Sequence, residues 1–153
     1  MEYINSVNGR VLALLLRSPS FPMIREGKAS LQFFSEEGDQ MQVALMTRPI
    51  GEVIAAHWHR PVERKVHGTP EVIFVKKGRL KVTFYNPDET PCAIRQIGEG
   101  DVLVLLAGGH GFEVLEEAEL FEVKQGPYLG ANDKVKFTPK EIPEREVTQY
   151  WIE

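Results

Sequence analysis

The sequence predicts an all-β fold, an antiparallel sandwich or barrel, on three observations. Apolar and β-branched residues gather in short runs of about five to seven residues, the usual length of a strand. Turn-forming clusters separate those runs: Glu36-Glu37-Gly38-Asp39, Lys77-Gly78, Asn86-Pro87-Asp88, Gly98-Glu99-Gly100-Asp101 and Glu116-Glu117. No window of useful length carries a helical apolar period. Many short strands at regular spacing are the pattern of a sandwich or a barrel.

Taken in order, residues 11–16 form the first strand, an unbroken apolar run. Residues 31–34 and 41–47 follow, the second pair of runs around the first turn cluster. Residues 53–59 read as an extended apolar stretch that ends on two histidines. Residues 60–70 break the rhythm with mostly polar side chains, as a loop over one mouth of a barrel would. The rhythm then resumes with strands at 71–76, 80–85, 91–97, 102–106, 111–115 and 120–125. Near the end, Thr138-Pro139-Lys140-Glu141 has a hydroxyl cap, a proline at the first position and an acid soon after, the signature of a helix start. Pro143 limits that helix to about one turn. Residues 147–152 are apolar enough to be expected against the outside of the barrel or a second subunit. The chain is thus expected as a single domain: N-terminal strands over 1–39, a barrel core over 40–125 and a C-terminal extension over 126–153.

Composition narrows the class of partner. Of the 153 residues, 42% are hydrophobic and 26% charged, which suits a soluble globular domain. The formal charge of -4, with no basic stripe interleaved with aromatics, argues against a nucleic-acid partner. The apolar runs at 11–16 and 102–107 are too short to span a bilayer as helices. The first twenty residues carry Glu2, Asn5, Ser6 and Asn8 in place of a basic start and an apolar signal core. Cys92 is the lone cysteine, which excludes an internal disulfide and fits a reducing compartment. A cytoplasmic location without membrane association is expected.

The residues that carry chemistry fall in two clusters. Gly51, His57, His59, Glu71 and Gly78 stand in the first, and Gly100, Asp101, Gly109 and His110 in the second. Side chains two apart on a strand share a face, so His57 and His59 can turn toward one interior point. Each neutral imidazole offers one nitrogen to a metal while the other is held by an acceptor. Glu71 adds a carboxylate from the next strand, and His110 adds a third imidazole from a glycine-rich hairpin that allows close backbone approach. Three nitrogens and one carboxylate suit a single Fe, Mn, Ni or Zn ion and leave positions open for water or a small molecule.

These two clusters resemble the paired motifs of the cupin superfamily, and the resemblance covers roughly residues 40–125. The first family motif reads glycine, five residues, His-x-His, three or four residues, glutamate, six residues, glycine. Gly51, His57, His59, Glu71 and Gly78 match it, with a longer insertion before Glu71. Glu63 has the shorter spacing from His59, but Pro70 stands where a glycine should follow it, which favours Glu71. In the second motif Gly100, Gly108 and His110 match, while Leu106 replaces the family's proline and Val114 its asparagine. The resemblance implies a cupin-type antiparallel jelly-roll barrel with a short C-terminal extension, holding one divalent metal ion. It implies a small-molecule ligand or substrate and a homodimer. Cupin chemistry is broad, spanning dioxygenases, sugar isomerases and epimerases, decarboxylases and oxalate-handling enzymes, so the fold does not choose the reaction.

Other residues have two readings each. His67 lies in the insertion, as an exposed loop residue or a mouth-side acid or base. Glu122 and Lys124 alternate with Phe121 and Val123, so they form either a solvated outer face or a polar pair reaching into the cavity. Arg48 is a surface residue or an anion ligand, and Phe112 is core packing or a substrate-pocket wall. Tyr85 and Tyr128 are candidate proton donors that no spacing singles out. Trp58 is expected to point outward from the His57–His59 strand and, with Trp151, to mark a dimer contact. The leading expectation is an enzyme acting on a small polar carbonyl compound, sugar-derived or an organic acid, with the metal as Lewis acid. An iron-dependent dioxygenase and a non-catalytic ligand-binding or sensing module are the alternatives. Storage use is disfavoured, because storage cupins are duplicated and longer.

Overall fold

The computed structural model describes residues 1–18 and 29–141. The expectations for Pro143, Trp151 and residues 147–152 lie outside the described residues. No α-helix occurs among the described residues, and no helix there is long and apolar enough to cross a membrane. The strands are β1 (Glu2–Asn5), β2 (Val11–Leu16), β3 (Ser30–Phe33), β4 (Ala44–Thr47), β5 (Glu71–Tyr85), β6 (Pro91–Gly98), β7 (Val102–Leu105) and β8 (Gly109–Lys124). The all-β expectation holds. The chain divides into two compact units, Met1–Phe21 with Thr69–Glu153, and Pro22–Gly68.

The first unit is a curled antiparallel sheet with strand order β1-β2-β7-β5-β6, in which β8 also pairs with β5. Its inward side chains form one apolar cluster that includes Ala13, Leu15, Ile73, Val75, Leu80, Val82, Phe84, Ile97, Leu103 and Leu105. The unbroken apolar run of β2 has a structural reason. Leu12 to Leu16 are all buried, so both faces of this strand are covered. β1 escapes sequence reading because only Ile4 is buried in it; its ladder with β2 defines it as a strand.

The long strands β5 and β8 decide the shape of this unit. Sequence reading divides each in two, at Lys77-Gly78 and at Glu116-Glu117, where the structure keeps one strand. Their pairing runs from Glu71↔Lys124 to Tyr85↔Gly109, with register shifts confined to Val75–Leu80. Across those shifts the buried parity of β5 changes from 71, 73 and 75 to 80, 82 and 84, so the same side of the ribbon stays inward. Gly78 sits in the bend at φ +86°, and a Cβ there would lie 2.2 Å from the Glu117 carbonyl oxygen. A close crossing of two backbones thus takes the place of the expected turn. Around those points the charged residues form cross-strand ion pairs instead: Lys76–Glu119, Lys77–Glu117, Arg79–Glu116 and Lys81–Glu113. Their exposure limits each to about 0–1 kcal/mol.

The described part of the C-terminal extension packs on the end of this ribbon. Lys124 pairs with Asp133 at 2.7 Å, beside a short 3-10 turn over Gly130–Asp133. Phe137 meets Tyr85 edge-on with ring centroids 5.2 Å apart. The expected helix start at Thr138 does not form: residues 138–141 are irregular, and the Lys140 backbone N–H donates to the Glu89 carbonyl. That bond ties the segment to the turn between β5 and β6 rather than to a helix of its own.

The second unit is built on the β3–β4 hairpin, registered from Ser30↔Thr47 to Phe33↔Ala44. Its 34–43 connection is held by the Phe34 N–H to the Val43 carbonyl and by Ser35 and Asp39 side chains. The expected strand at 53–59 is not one. These residues are irregular and have no ladder partner among the described residues. Val53, Ile54 and Trp58 are exposed, and so are His57 and His59, so the expected alternation of inward histidines and an outward Trp58 is absent where no strand forms.

Candidate functional site

The curl of the first unit brings two of the expected ligands together. Glu71 opens β5 on its inward parity and is only 6% exposed. His110 pairs with Phe84 near the opposite end of β5 and shares its inward face. On a straight strand those two positions of β5 would lie about 43 Å apart. In the structure Glu71 Oε2 and His110 Nε2 are 3.4 Å apart. The bend at Gly78 folds the ribbon back on itself and makes that meeting possible. Gly108 sets the entry of β8: a Cβ on it would stand 2.7 Å from the Tyr85 carbonyl oxygen, at φ +73°.

The Glu71–His110 separation is longer than an ordinary N–H···O hydrogen bond. Two ligands each about 2.1 Å from one ion at a tetrahedral angle stand roughly 3.4 Å from each other. The pair therefore fits as two neighbouring ligands of a metal. Burial holds the His110 imidazole below its ordinary 6.5; the Glu71 carboxylate opposes this, the Lys134 charge adds to it and Glu122 opposes it. A neutral imidazole is the form that ligates.

His57 and His59 lie in the second unit, with ring centroids 5.5 Å apart. His57 Nδ1 is 2.9 Å from the Ala55 carbonyl oxygen. A carbonyl only accepts, so Nδ1 carries the proton and the Nε2 lone pair is left for a ligand. Each unit thus holds a pair of ligand-type side chains. No group of three or more His, Cys, Asp or Glu suited to a metal occurs among the described residues.

Around the Glu71–His110 pair lies a cavity of about 550 Å³, lined by Ile73, Gly111, Phe112, Leu120, Glu122 and Lys134 with the pair itself. Phe112 stands edge-on to His110 at 5.5 Å, so its place is the pocket wall. Glu122 lines the cavity and is exposed as well. It pairs with inward-facing Ile73 on β5, while Phe121 and Val123 turn to the other side and are exposed. Lys124 is committed to Asp133, with its ammonium 5.0 Å from the Tyr128 ring centroid. A second cavity of about 350 Å³ adjoins His110, Gly111 and Lys134, and is walled by Tyr85, Val135, Lys136, Phe137 and Pro139.

The remaining expected residues belong to the second unit. Arg48 pairs with Glu52 at 3.6 Å, and Glu63 is exposed in the irregular 60–68 segment. His67 is exposed, its backbone N–H bound to Gln40. Lys134 was missed in the sequence because it follows the extension's short turn, outside both histidine clusters and any strand period. Comparison of the chain with protein-family models, with curated proteins and with solved structures gives no match.

Proposed function

We propose that this chain is a cupin-type protein that binds one divalent ion, Fe, Mn, Ni or Zn, through His57, His59, Glu71 and His110. On this reading it is an enzyme acting on a small polar carbonyl compound, sugar-derived or an organic acid. The observation that carries the reading is the buried Glu71 carboxylate at 3.4 Å from a His110 nitrogen inside an apolar-walled cavity. When bound, the ion supplies Lewis acidity, drawing electron density from an oxygen of the substrate. The chain's own residues do the rest. Ile73, Phe112 and Leu120 give the cavity its apolar wall. Glu122 faces the same space and is the group that exchanges a proton with the bound molecule.

Phe112 beside His110 keeps a dioxygenase as the second reading, since an aromatic wall also suits an apolar substrate. A sensing module without turnover uses the same cavity and differs only in leaving its ligand unchanged. The reading also includes a homodimer. Its support is the outer side of the β5–β8 ribbon, where Phe74 pairs with Phe121 and Val72 with Val123, and three of these four are well exposed.

Elemental analysis of untagged protein purified without chelator tests the proposal. About one ion per chain is expected, lost in both His57→Ala and His110→Ala while circular dichroism stays β-rich. Unchanged metal content in both variants would overturn the ligand set.

A further inference from the structure

We infer that the smaller cavity is a subsite for an aromatic ring, so that the molecule bound in the first unit is an aryl-substituted carbonyl compound with its polar head at Glu71 and His110. The placing of the head rests on the reading above, whereas the subsite for the ring stands on the smaller cavity itself. The two cavities share His110 and Gly111 in their linings, so they meet along that stretch of β8. Their walls differ in chemistry. The larger has Glu71, His110 and Glu122 in its lining, where the polar groups of a carbonyl compound find partners. The smaller is walled by Tyr85, Phe137, Val135 and Pro139. Val135 is 90% exposed, an apolar side chain left bare beside the two rings. Lys134 and Lys136 also border this cavity and are exposed, so their charges are left to solvent.

Size and shape give the class of ligand. An apolar cavity of about 150 Å³ is enough to take up benzene. The smaller cavity has about 350 Å³. A compound held only in the larger cavity would leave Val135 and both rings wet. Tyr85 and Phe137 meet with ring centroids 5.2 Å apart and planes at 89°. That right-angled corner offers a third ring one aromatic face and one aromatic edge, a contact that an alkyl group does not make. The backbone fixes the corner. A Cβ at Gly109 would stand 3.0 Å from Phe137 Cζ, so the glycine lets this ring lie directly on β8. Beyond it, the Lys140 backbone N–H donates to the Glu89 carbonyl at 3.2 Å. At the junction Gly111 brings no side chain. A Cβ there would meet only the Tyr85 ring and hydroxyl, at 3.7 and 3.8 Å, which is ordinary contact. A larger side chain would grow into the passage between the two cavities.

The test uses the full chain and two neutral ketones that differ by a phenyl ring, benzylacetone and butanone, titrated by calorimetry. Benzylacetone binds at least about tenfold more tightly than butanone. It also binds more tightly than its cyclohexyl analogue. Val135→Asp alters a bare surface residue and Gly111→Val suits a strand, so both variants keep the fold, as circular dichroism checks. Val135→Asp brings benzylacetone toward butanone and leaves butanone unchanged, and Gly111→Val narrows the same gap. Equal affinity for the two ketones, or a gain that survives in both variants, overturns the subsite while the metal reading stands. A cyclohexyl analogue that binds as tightly as benzylacetone overturns the assignment to an aromatic ring. Metal content is measured on the same protein. A chain that takes up no metal yet keeps the ring's gain overturns the placing of the head and upholds the subsite.

Discussion

Replacing Gly78 by alanine should be among the most damaging single-methyl changes in this protein. The position has φ +86°, which a side-chain-bearing residue adopts at a cost of about 1–2 kcal/mol. The added Cβ would also stand 2.2 Å from the Glu117 carbonyl oxygen and 2.8 Å from Ala118 Cα, both backbone atoms of the facing strand. Moving a paired strand aside costs about 1–3 kcal/mol more. The sum, about 2–5 kcal/mol, is a large fraction of the roughly 5–15 kcal/mol that holds a domain folded. Gly9→Ala is the control, because Gly9 has φ +82° but nothing within 4 Å of its Cβ position. It should lose only the backbone part. Urea unfolding followed by circular dichroism measures both; with a slope of about 1–3 kcal/mol per molar, Gly78→Ala should unfold at a clearly lower midpoint than Gly9→Ala. Equal midpoints would refute the tight β5–β8 crossing, and with it the bend that brings Glu71 to His110.

Other outcomes follow from the same geometry. Phe84→Ala empties the largest fully buried side chain among the described residues and should cost about 3–5 kcal/mol in the same urea assay. Asp101→Ala leaves the Ser18 and Gly98 N–H groups and the Arg17 guanidinium without their carboxylate, so the midpoint should fall by the equivalent of about 2–4 kcal/mol. The Lys124 ammonium, by its hydrogen bond, holds the Asp133 carboxyl below its ordinary 3.8, and Asp133 in turn holds Lys124 above 10.5. Stability from this pair is therefore full between those two values, lost as pH falls through the lowered Asp133 value and lost again as pH rises through the raised Lys124 value. Asp133→Asn should be less stable than the parent at pH 7 and should converge with it in strong acid; a gap that persists there would contradict the ion-pair origin. Phe121→Glu should shift a dimer to monomer in sedimentation without altering metal content, and an unchanged sedimentation coefficient would remove this face from the interface.

Much of the sheet was legible because its strands are short apolar or alternating runs bounded by turn residues. β2 was read with its observed bounds, β6 and β7 to within one residue, and Gly78 and Gly108 already stood out as motif glycines. The two long strands were not legible as continuous. Their middles are charged, and sequence alone cannot tell a turn from an ion-paired bend when Lys77 and Glu117 offer the same composition to both. Residues 53–59 misled in the opposite direction: a strand-like run carries no information about whether a partner supplies its ladder. In the site, Glu71 and His110 were legible from their motif, since spacing encodes which strand ends they occupy. Lys134 was not, because its place depends on how Asp133 and Phe137 dock the extension, and neither contact leaves a periodic trace. The place of Glu122 beside the cavity was half legible: alternation separates it from Phe121, but only the pairing with Ile73 says which side borders the cavity.

The most direct test of the central claim is metal stoichiometry in Glu71→Gln against Glu63→Gln, since both acids can follow His59 as a ligand by sequence and only Glu71 is buried against an imidazole. The account predicts about one ion per chain in the parent and in Glu63→Gln, and its loss in Glu71→Gln. An ion retained by Glu71→Gln, or none in the parent even after metal is added, would contradict it.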